Sequence, residues 1–471
     1  MWWSVNRGFR VLLVVAICAA LTRPAAAQPG PSAFSAQNPL LGGVPAGTVT
    51  PEMLRLSLHE ALQRGLQHNL AAVLAEQRVR AADGARWAAT SGLLPTVSGA
   101  LGQSRSKISL EEFGFPLPPG QSPLIGPFSV ASARISVNQA LFDFAAIQDA
   151  RAGAAQKSAA DFSLRDVREQ VVVAIATAYF QAVATASRVE AARAQSATAQ
   201  ALYARALSMK QAGTVAGIEV LRAQVQVEGQ KQRLIYFENE LAKQKLALAR
   251  AIGLPLGQSF ELSDDVPYRA VETMALAAAL DQAYARRPDY KATQEVLKSA
   301  EATRRAAYGT LLPSLQFAAN FGDVGPAFGS LLSTYTLLAS IRVPILQAGR
   351  ERGRILQADA AVRQNRAQLE DLKARIEYEV RSAILDVQSS EERVRVARGA
   401  AELAERQLTQ ARDRFAAGVA SHIEVVLAQE AVATESENVI ASLFAHNVAT
   451  AALARALGVA EERTERLLGG Q

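Results

Sequence analysis

The side chains that most often carry chemistry are few in this chain and poorly spaced for it. Four histidines, His59, His68, His422 and His446, could in principle ligate a metal. A helical metal site needs His at i and i+4 beside a carboxylate, and none of the four has that spacing. The single cysteine, Cys18, excludes an internal disulfide framework and any Cys-based zinc site. Asp264-Asp265 stands beside Pro267 in a polar stretch and reads as a solvated turn. There is no Gly-rich phosphate loop and no Gly-x-Ser-x-Gly elbow. No catalytic residue and no cofactor site is therefore expected. Two glutamates, Glu219 and Glu424, recur in matching contexts, each at a helix start where the macrodipole favours an acid.

The elements that could position such groups are unusual in composition. The chain has 471 residues, 49% of them hydrophobic, so wholesale disorder is excluded. Aromatics are only 6%, and much of the apolar content is alanine, which suits closely approaching helices better than a thick globular core. The formal charge of +6 overstates basicity. Residues 1–27 hold Arg7, Arg10 and Arg23 without an acid, which leaves 47 basic against 44 acidic side chains, or +3. Nothing in that balance calls for nucleic acid. Residues 1–27 read as a secretory signal: a positive start, an apolar run from Val11 to Leu21, and Ala25-Ala26-Ala27 as a cleavage site. Val15-Ala16-Ile17-Cys18 faintly resembles a lipid-attachment box, with bulky Ile17 where a small residue is normal. No later segment reads as a transmembrane helix. The nearest, Val171 to Ala186, is shorter than the roughly 20 residues needed.

The chain is written twice. Leu93-Leu94-Pro95 recurs as Leu311-Leu312-Pro313, an offset of 218. Ala212-Gly213 with Ile218-Glu219-Val220 recurs as Ala417-Gly418 with Ile423-Glu424-Val425, and Ala249 to Gly253 recurs as Ala454 to Gly458, both at 205. The first copy thus carries about 13 extra residues, which fall in the Pro- and Gly-rich stretch from Leu110 to Pro127. Copies run from 56 to 254 and from 274 to 459. Residues 28–55 form a Pro/Gly-rich N-terminal segment, 255–273 a linker and 460–471 a tail.

Each copy predicts a helix of about 36 residues (57–92, 274–310), a strand pair (about 96–140, 314–345), a helix of about 70 residues (143–212, 347–416), a Gly turn, and a closing helix of about 35 residues (218–252, 422–457). At 1.5 Å per residue the longest helix spans about 105 Å, and two half-length helices stacked end to end would match it. Helices of that length without a thick core are expected to pair as coiled coils.

Four segments alternate. In Tyr335 to Val343, Tyr335, Leu337, Ala339, Ile341 and Val343 oppose Thr334, Thr336, Ser340 and Arg342. Ser314 to Phe321, Val130 to Val137 and, more weakly, Thr96 to Ser104 behave alike, which predicts a sheet with one apolar and one polar face. Four strands cannot close a barrel, which takes about eight, but four from each of several identical chains can close a shared one. Tyr335, Phe317, Phe321 and Phe128 would then form an aromatic girdle, and Leu110 to Pro127 and Gly322 to Ser333 the outer loops.

At this point the residues resemble the TolC family of outer-membrane efflux and secretion channels. The resemblance rests on the signal, the duplication, the openings Leu56 to Leu62 and Met274 to Leu280, Leu-Leu-Pro before each strand pair, and the Gly turns, and it covers about 56–459. It implies a mainly α chain with a small β part, assembled as a homotrimer with a twelve-stranded barrel in outer-membrane lipid and a helical barrel across the periplasm. It further implies a passive conduit opened by a periplasmic adaptor and an inner-membrane pump, performing no chemistry of its own. Small-molecule efflux is favoured; type I protein secretion and, further off, a periplasmic coiled-coil scaffold remain alternatives.

By the same resemblance, Gly213, Thr214 and Val215, and Gly418, Val419, Ala420 and Ser421, are the adaptor-docking turns. Glu219 and Glu424 fall where relatives place carboxylates at the periplasmic aperture, so that a trimer would carry acidic rings. This chain departs from the family pattern at Leu427, Phe415 and Ala420, where an acid, an aromatic hydroxyl and an arginine would stand. Its closed-state contact must therefore differ, with Arg412 or Arg414 as candidates.

Overall fold

The computed structural model describes residues 38–114, 122–263, 268–271, 274–345, 349–417, 419–420 and 422–462. The chain divides into two units, Met1–Pro39 and Leu40–Gln471. The first is described only at Asn38 and Pro39, so the signal segment lies outside the described residues, as do Asp264-Asp265, Gly418 and Ser421.

The second unit is built from two extended helical hairpins. In chain order its helices are α1 (Leu58–His68), α2 (Leu70–Ser91), α3 (Phe144–Gln211), α4 (Gly217–Ala251), α5 (Leu276–Arg286), α6 (Pro288–Gly309), α7 (Arg350–Ala416) and α8 (His422–Ala456). With 68 and 67 residues, α3 and α7 are each about 100 Å long. On the turn side α3 packs along α4 and α7 along α8; on the sheet side α3 packs on α2 and α6, and α6 on α7. The reason lies in a seven-residue period. Val362, Leu369, Ile376, Ala383, Ser390, Ala397, Ala404 and Ala411 of α7 are all buried, accompanied four residues on by Val380, Val387 and Val394. A strict seven-residue seam holds one helix face against its partner over many turns. Alanine occupies the seam towards the turn, which lets the backbones approach closely.

The predicted 36-residue helices are each broken in two. Asn69 (φ −63°, ψ 135°) separates α1 from α2, and Arg287 (φ −55°, ψ 122°) separates α5 from α6. The two breaks are 218 residues apart, the offset of the repeat. Pro288 causes the second, because the residue before proline is driven out of the helical region. Asn69 causes the first through its side chain. Its Oδ1 accepts from Ala71 N–H at 2.9 Å, while its Nδ2 donates to the carbonyls of Leu40 and Ala251 at 2.8 and 3.0 Å. One buried amide thus caps the start of α2 and the end of α4, splicing them end to end. Arg287 does the corresponding work in the second copy, donating to Asp289, Glu379 and the Ala456 carbonyl.

Around these splices sits the main core, where Leu56, Leu58 and Leu62, Val171 to Val183 of α3, Leu248 to Leu254, Leu372 to Ala383 of α7 and Ala451 to Ala460 converge. Two strands missed in the sequence belong to it. Leu54–Leu56 (β1) pairs in parallel with Phe260–Leu262 (β4), so residues read as an N-terminal segment and a linker form one small sheet. Tyr179, fully buried, donates to the Leu56 carbonyl at 3.0 Å and ties that sheet to α3. By length and composition α3 and the Ile423–Ala456 stretch of α8 could cross a membrane, but 56% and 44% of their apolar windows are buried in the fold. The Val171 to Ala186 stretch is part of that core.

The remaining strands, β2 (Thr96–Ser109), β3 (Leu124–Phe142), β5 (Ser314–Gly325) and β6 (Leu332–Arg342), form an antiparallel sheet in the order β2-β3-β5-β6. They run longer than the alternation predicted, because Gly, Ser and charged residues at their outer ends hide the pattern. β5 continues to Gly325, through residues expected to be loop.

Candidate functional site

Two regions were expected to carry function, the helix-turn-helix tips and the sheet. At the first tip α3 ends with Ala212 as C-cap and Gly213 in the left-handed region at φ 75°. Gly213 N–H bonds to the Lys210 carbonyl at 3.0 Å and Thr214 N–H to the Met209 carbonyl at 2.9 Å. This pair of bonds is the Schellman arrangement, which glycine permits without a Cβ penalty. The second tip repeats it: Val419 N–H reaches the Arg414 carbonyl at 3.0 Å. Gly213, Thr214 and Val419 therefore sit in matching hydrogen-bonded turns. Val215 is partly covered and Ala420 likewise lies in the described part of its turn.

Both glutamates are found at helix starts, and both are neutralised. Glu219 lies in the first turn of α4, half-buried, with Oε1 2.6 Å from Arg222 Nη1. Glu424 opens α8, and its Oε1 is 3.1 Å from Nε of Arg414, across the turn at the end of α7. Of the two arginines considered for a tip contact, Arg414 thus closes its own hairpin. Arg412 instead lines a recess with Leu408, Gln195 and Gln429.

Contact between the hairpins is made by residues that sequence reasoning did not pair. Leu202 of α3 packs into the cluster of Ala411, Val425, Ala428, Leu408 and Phe415. One turn further on, the guanidinium of Arg205 stands over the Phe415 ring, 5.7 Å from its centroid. Phe415 was singled out only as a departure from a family pattern. The Arg205 partner, some two hundred residues away, left no signal in local spacing.

At the sheet, directly opposed residues share a face, so the register sorts the strands. Val97 opposes Val137, Ile135 opposes Phe321, Phe321 opposes Tyr335 and Ala319 opposes Leu337. Leu101, Tyr335, Leu337 and Ile341 on this face are 80, 74, 66 and 69% exposed, and clustered exposed apolar side chains mark a surface made for another partner or for a membrane. No helix covers it. Phe317, Phe321 and Tyr335 belong to this apolar face. Phe128 does not: it opposes Ser106 and falls on the polar face, because the register from Thr96 to Ser106 carries no slip that would turn it outward. Among the described residues the outermost strands, β2 and β6, each have one partner, which leaves an open hydrogen-bonding edge on either side of the sheet.

Among the described residues no group of three or more His, Cys, Asp or Glu side chains is placed to hold an ion. His446 is buried and structural: its Nε2 meets the Arg269 carbonyl at 2.9 Å, and its Nδ1 meets Ser390 Oγ at 3.2 Å.

With this geometry in place, comparison with known proteins is direct. Residues 61–254 and 279–459 match the family model of outer membrane efflux proteins. The chain belongs to that family. The two matched segments coincide with the two repeats. A similar relative is a pyoverdine export outer membrane protein, OpmQ, of Pseudomonas putida, 24% identical over 70% of this chain and 68% of the relative. Another is an antibiotic efflux pump outer membrane protein, ArpC, of Pseudomonas putida, 28% identical over 30% of this chain and only 29% of the relative. The fold is similar to that of the outer membrane protein VceC of Vibrio cholerae, with a TM-score of 0.74 at 19% identity over 85% of this chain and 96% of that one. The protein is an outer-membrane protein of the efflux family with the fold of the VceC chain.

Proposed function

We propose that three copies of this chain form the outer-membrane exit duct of a tripartite efflux system. The four-stranded sheets join edge to edge, β2 of one copy against β6 of the next, to close a twelve-stranded barrel. The hairpins close a helical tube beneath it. The observation that carries this reading is the sheet itself. One of its faces is mainly apolar, with the charged Arg105 and Asp323 towards the outer end; no described part of the chain covers that face, and among the described residues both edges are unpaired. In lipid every backbone group must find a partner, so an open sheet is excluded and closure with other copies satisfies both demands together. The duct performs no chemistry. A periplasmic adaptor docks on the turns at Gly213 to Val215 and Gly418 to Ser421, and an inner-membrane pump supplies the energy.

The cargo is small molecules. The relatives named for pyoverdine export and antibiotic efflux support this over protein secretion. Glu219 and Glu424 lie at the periplasmic aperture, where each is repeated threefold. Because Arg222 and Arg414 neutralise them, their removal leaves unpaired arginines at the mouth. The test is purification from outer-membrane detergent extracts followed by planar-bilayer recording. A heat-dissociable trimer that conducts is expected, and replacing Glu219 and Glu424 with alanine should move the reversal potential towards anions. A detergent-independent monomer would sink the reading. An unchanged reversal potential in a conducting trimer would remove these two residues from the aperture.

A further inference from the structure

The polar face of the sheet is not merely polar. Ser98, Ser132, Ser136, Asn320, Thr336 and Ser340 share it with Arg134 and Arg342. Among the described and paired strand residues, that face carries these two arginines and no acid; Asp323, the acid of β5, lies on the other face beside the β5–β6 turn. Arg134 is exposed and sits well inside β3, opposite Ala100 on one side and Gly322 on the other. Neither neighbour can neutralise it. A Cβ built at Gly322 would fall 2.7 Å from Arg134 Cα, so that flank is held bare by close backbone approach. Arg342 ends β6 opposite Ser314, at the edge of the sheet that joins the helices. Among the described residues, no carboxylate makes an ion pair or hydrogen bond with either guanidinium.

We propose that Arg134 and Arg342 form two basic rings inside the barrel that bind and select anionic small molecules, those bearing carboxylate, phosphate or sulfonate groups, as they leave. The proposal rests on the trimeric-barrel reading above, which turns the polar face to the lumen. A bare guanidinium is costly against lipid and inexpensive against water, which agrees with that orientation for Arg134, well inside the sheet; Arg105, the arginine of the apolar face, stands at the outer end of β2, where that cost is least. Charges of one sign lining a pore set its ion preference, and the planar guanidinium fork matches carboxylate and phosphate oxygens two at a time. The aperture does not oppose such cargo. Both of its acids are paired with arginine, whereas the arginines of the sheet are unpaired. A solute leaving the helical tube meets Arg342 first and Arg134 next.

The test uses the purified full-length channel in planar bilayers, with citrate as the probe added to the barrel side. Wild type is compared with Arg134→Gln, Arg342→Gln and the double variant. Each is also recorded in a Phe415→Ala background, which removes the Arg205–Phe415 contact near the tips and keeps the readout open should the resting tip be shut. Citrate should block wild type from the barrel side, and Arg134→Gln should raise the blocking concentration roughly tenfold, as expected for loss of one charge-assisted contact. The double variant should lose the block and shift its reversal potential towards cations. A wild-type channel that citrate does not block overturns the rings and leaves the conduit standing. So does a double variant that conducts and is blocked as well as wild type. Absence of current in both backgrounds, from protein that stays monomeric, refutes the conduit and the rings together.

Discussion

At the scale of single residues, the tip is held by contacts that differ in kind within and between hairpins. Within each hairpin an ion pair joins a helix-start glutamate to an arginine, and such exposed pairs are worth only a few tenths of a kcal/mol to about 1 kcal/mol. Near the tips, one contact between hairpins is the Arg205 guanidinium over the Phe415 ring, backed by Leu202. A cation–π contact at a partly exposed site contributes about 0.5–1 kcal/mol. If three copies must part together when the aperture widens, the contributions add. Phe415→Ala should then raise the open fraction in bilayers by roughly ten- to hundredfold, whereas Phe415→Tyr, which keeps the ring, should leave it near wild type. Equal open fractions in both variants would show that the ring does not restrain the tip.

At the scale of elements, the mid-section where short helices splice into long ones is the place most sensitive to charge. Glu169 of α3 is nearly buried and accepts from Ala460 N–H at 2.8 Å, just past the end of α8. Burial pushes its carboxyl from an ordinary value of 4.5 up to about 7; the N–H groups of Ala460 and Glu461 oppose the rise, and the charges of Glu461 and Asp166 add to it. Arg168, paired with Glu461, and Arg455, paired with Asp166, complete its charged surroundings. In the folded chain the proton is held to higher pH than in the unfolded chain. Stability from this group is therefore greatest below about 4.5 and is lost as pH rises through about 7, by an amount on the order of 3 kcal/mol. Glu169→Gln, which keeps the acceptor for Ala460 N–H, should melt higher than wild type at pH 8 and no higher at pH 5. A gap independent of pH would place the effect in packing instead of titration. These elements were unevenly legible in the sequence. The 67- and 68-residue helices, the turns and the faces of Tyr335 to Val343 could be read because duplication and period are local properties. The break at Asn69 was not, since its cause is an amide reaching the Ala251 carbonyl, 182 residues away. The break at Arg287 announced itself only through Pro288. β1 and β4 escaped notice because three-residue strands have too little length to show alternation. For the candidate site, the positions of Glu219 and Glu424 followed from the repeat, but their neutralising partners Arg222 and Arg414 did not.

At the scale of the whole molecule, the chain makes sense only in two solvents at once. Its helices bury alanine-rich seams against one another and leave charge exposed, while its sheet leaves Leu101, Leu337 and Ile341 exposed, side chains that face lipid in the proposed barrel. Neighbouring strand positions must therefore differ sharply in what they tolerate. Leu337 lies on the apolar face and Thr336, the residue before it, on the polar one. Lysine facing lipid near the bilayer midplane costs about 2–4 kcal/mol, and three copies would each bear that cost, whereas lysine facing a wet lumen costs little. Leu337→Lys should accordingly reduce the heat-dissociable assembly in outer-membrane fractions to a small part of the wild-type amount. Thr336→Lys, which adds the same charge one residue away, should assemble normally. The comparison isolates orientation, because both substitutions introduce the same side chain into the same strand. Equal loss in the two variants would mean that neither face of the sheet is wet. Equal tolerance would mean that neither meets lipid, and the sheet would then have to be covered by protein.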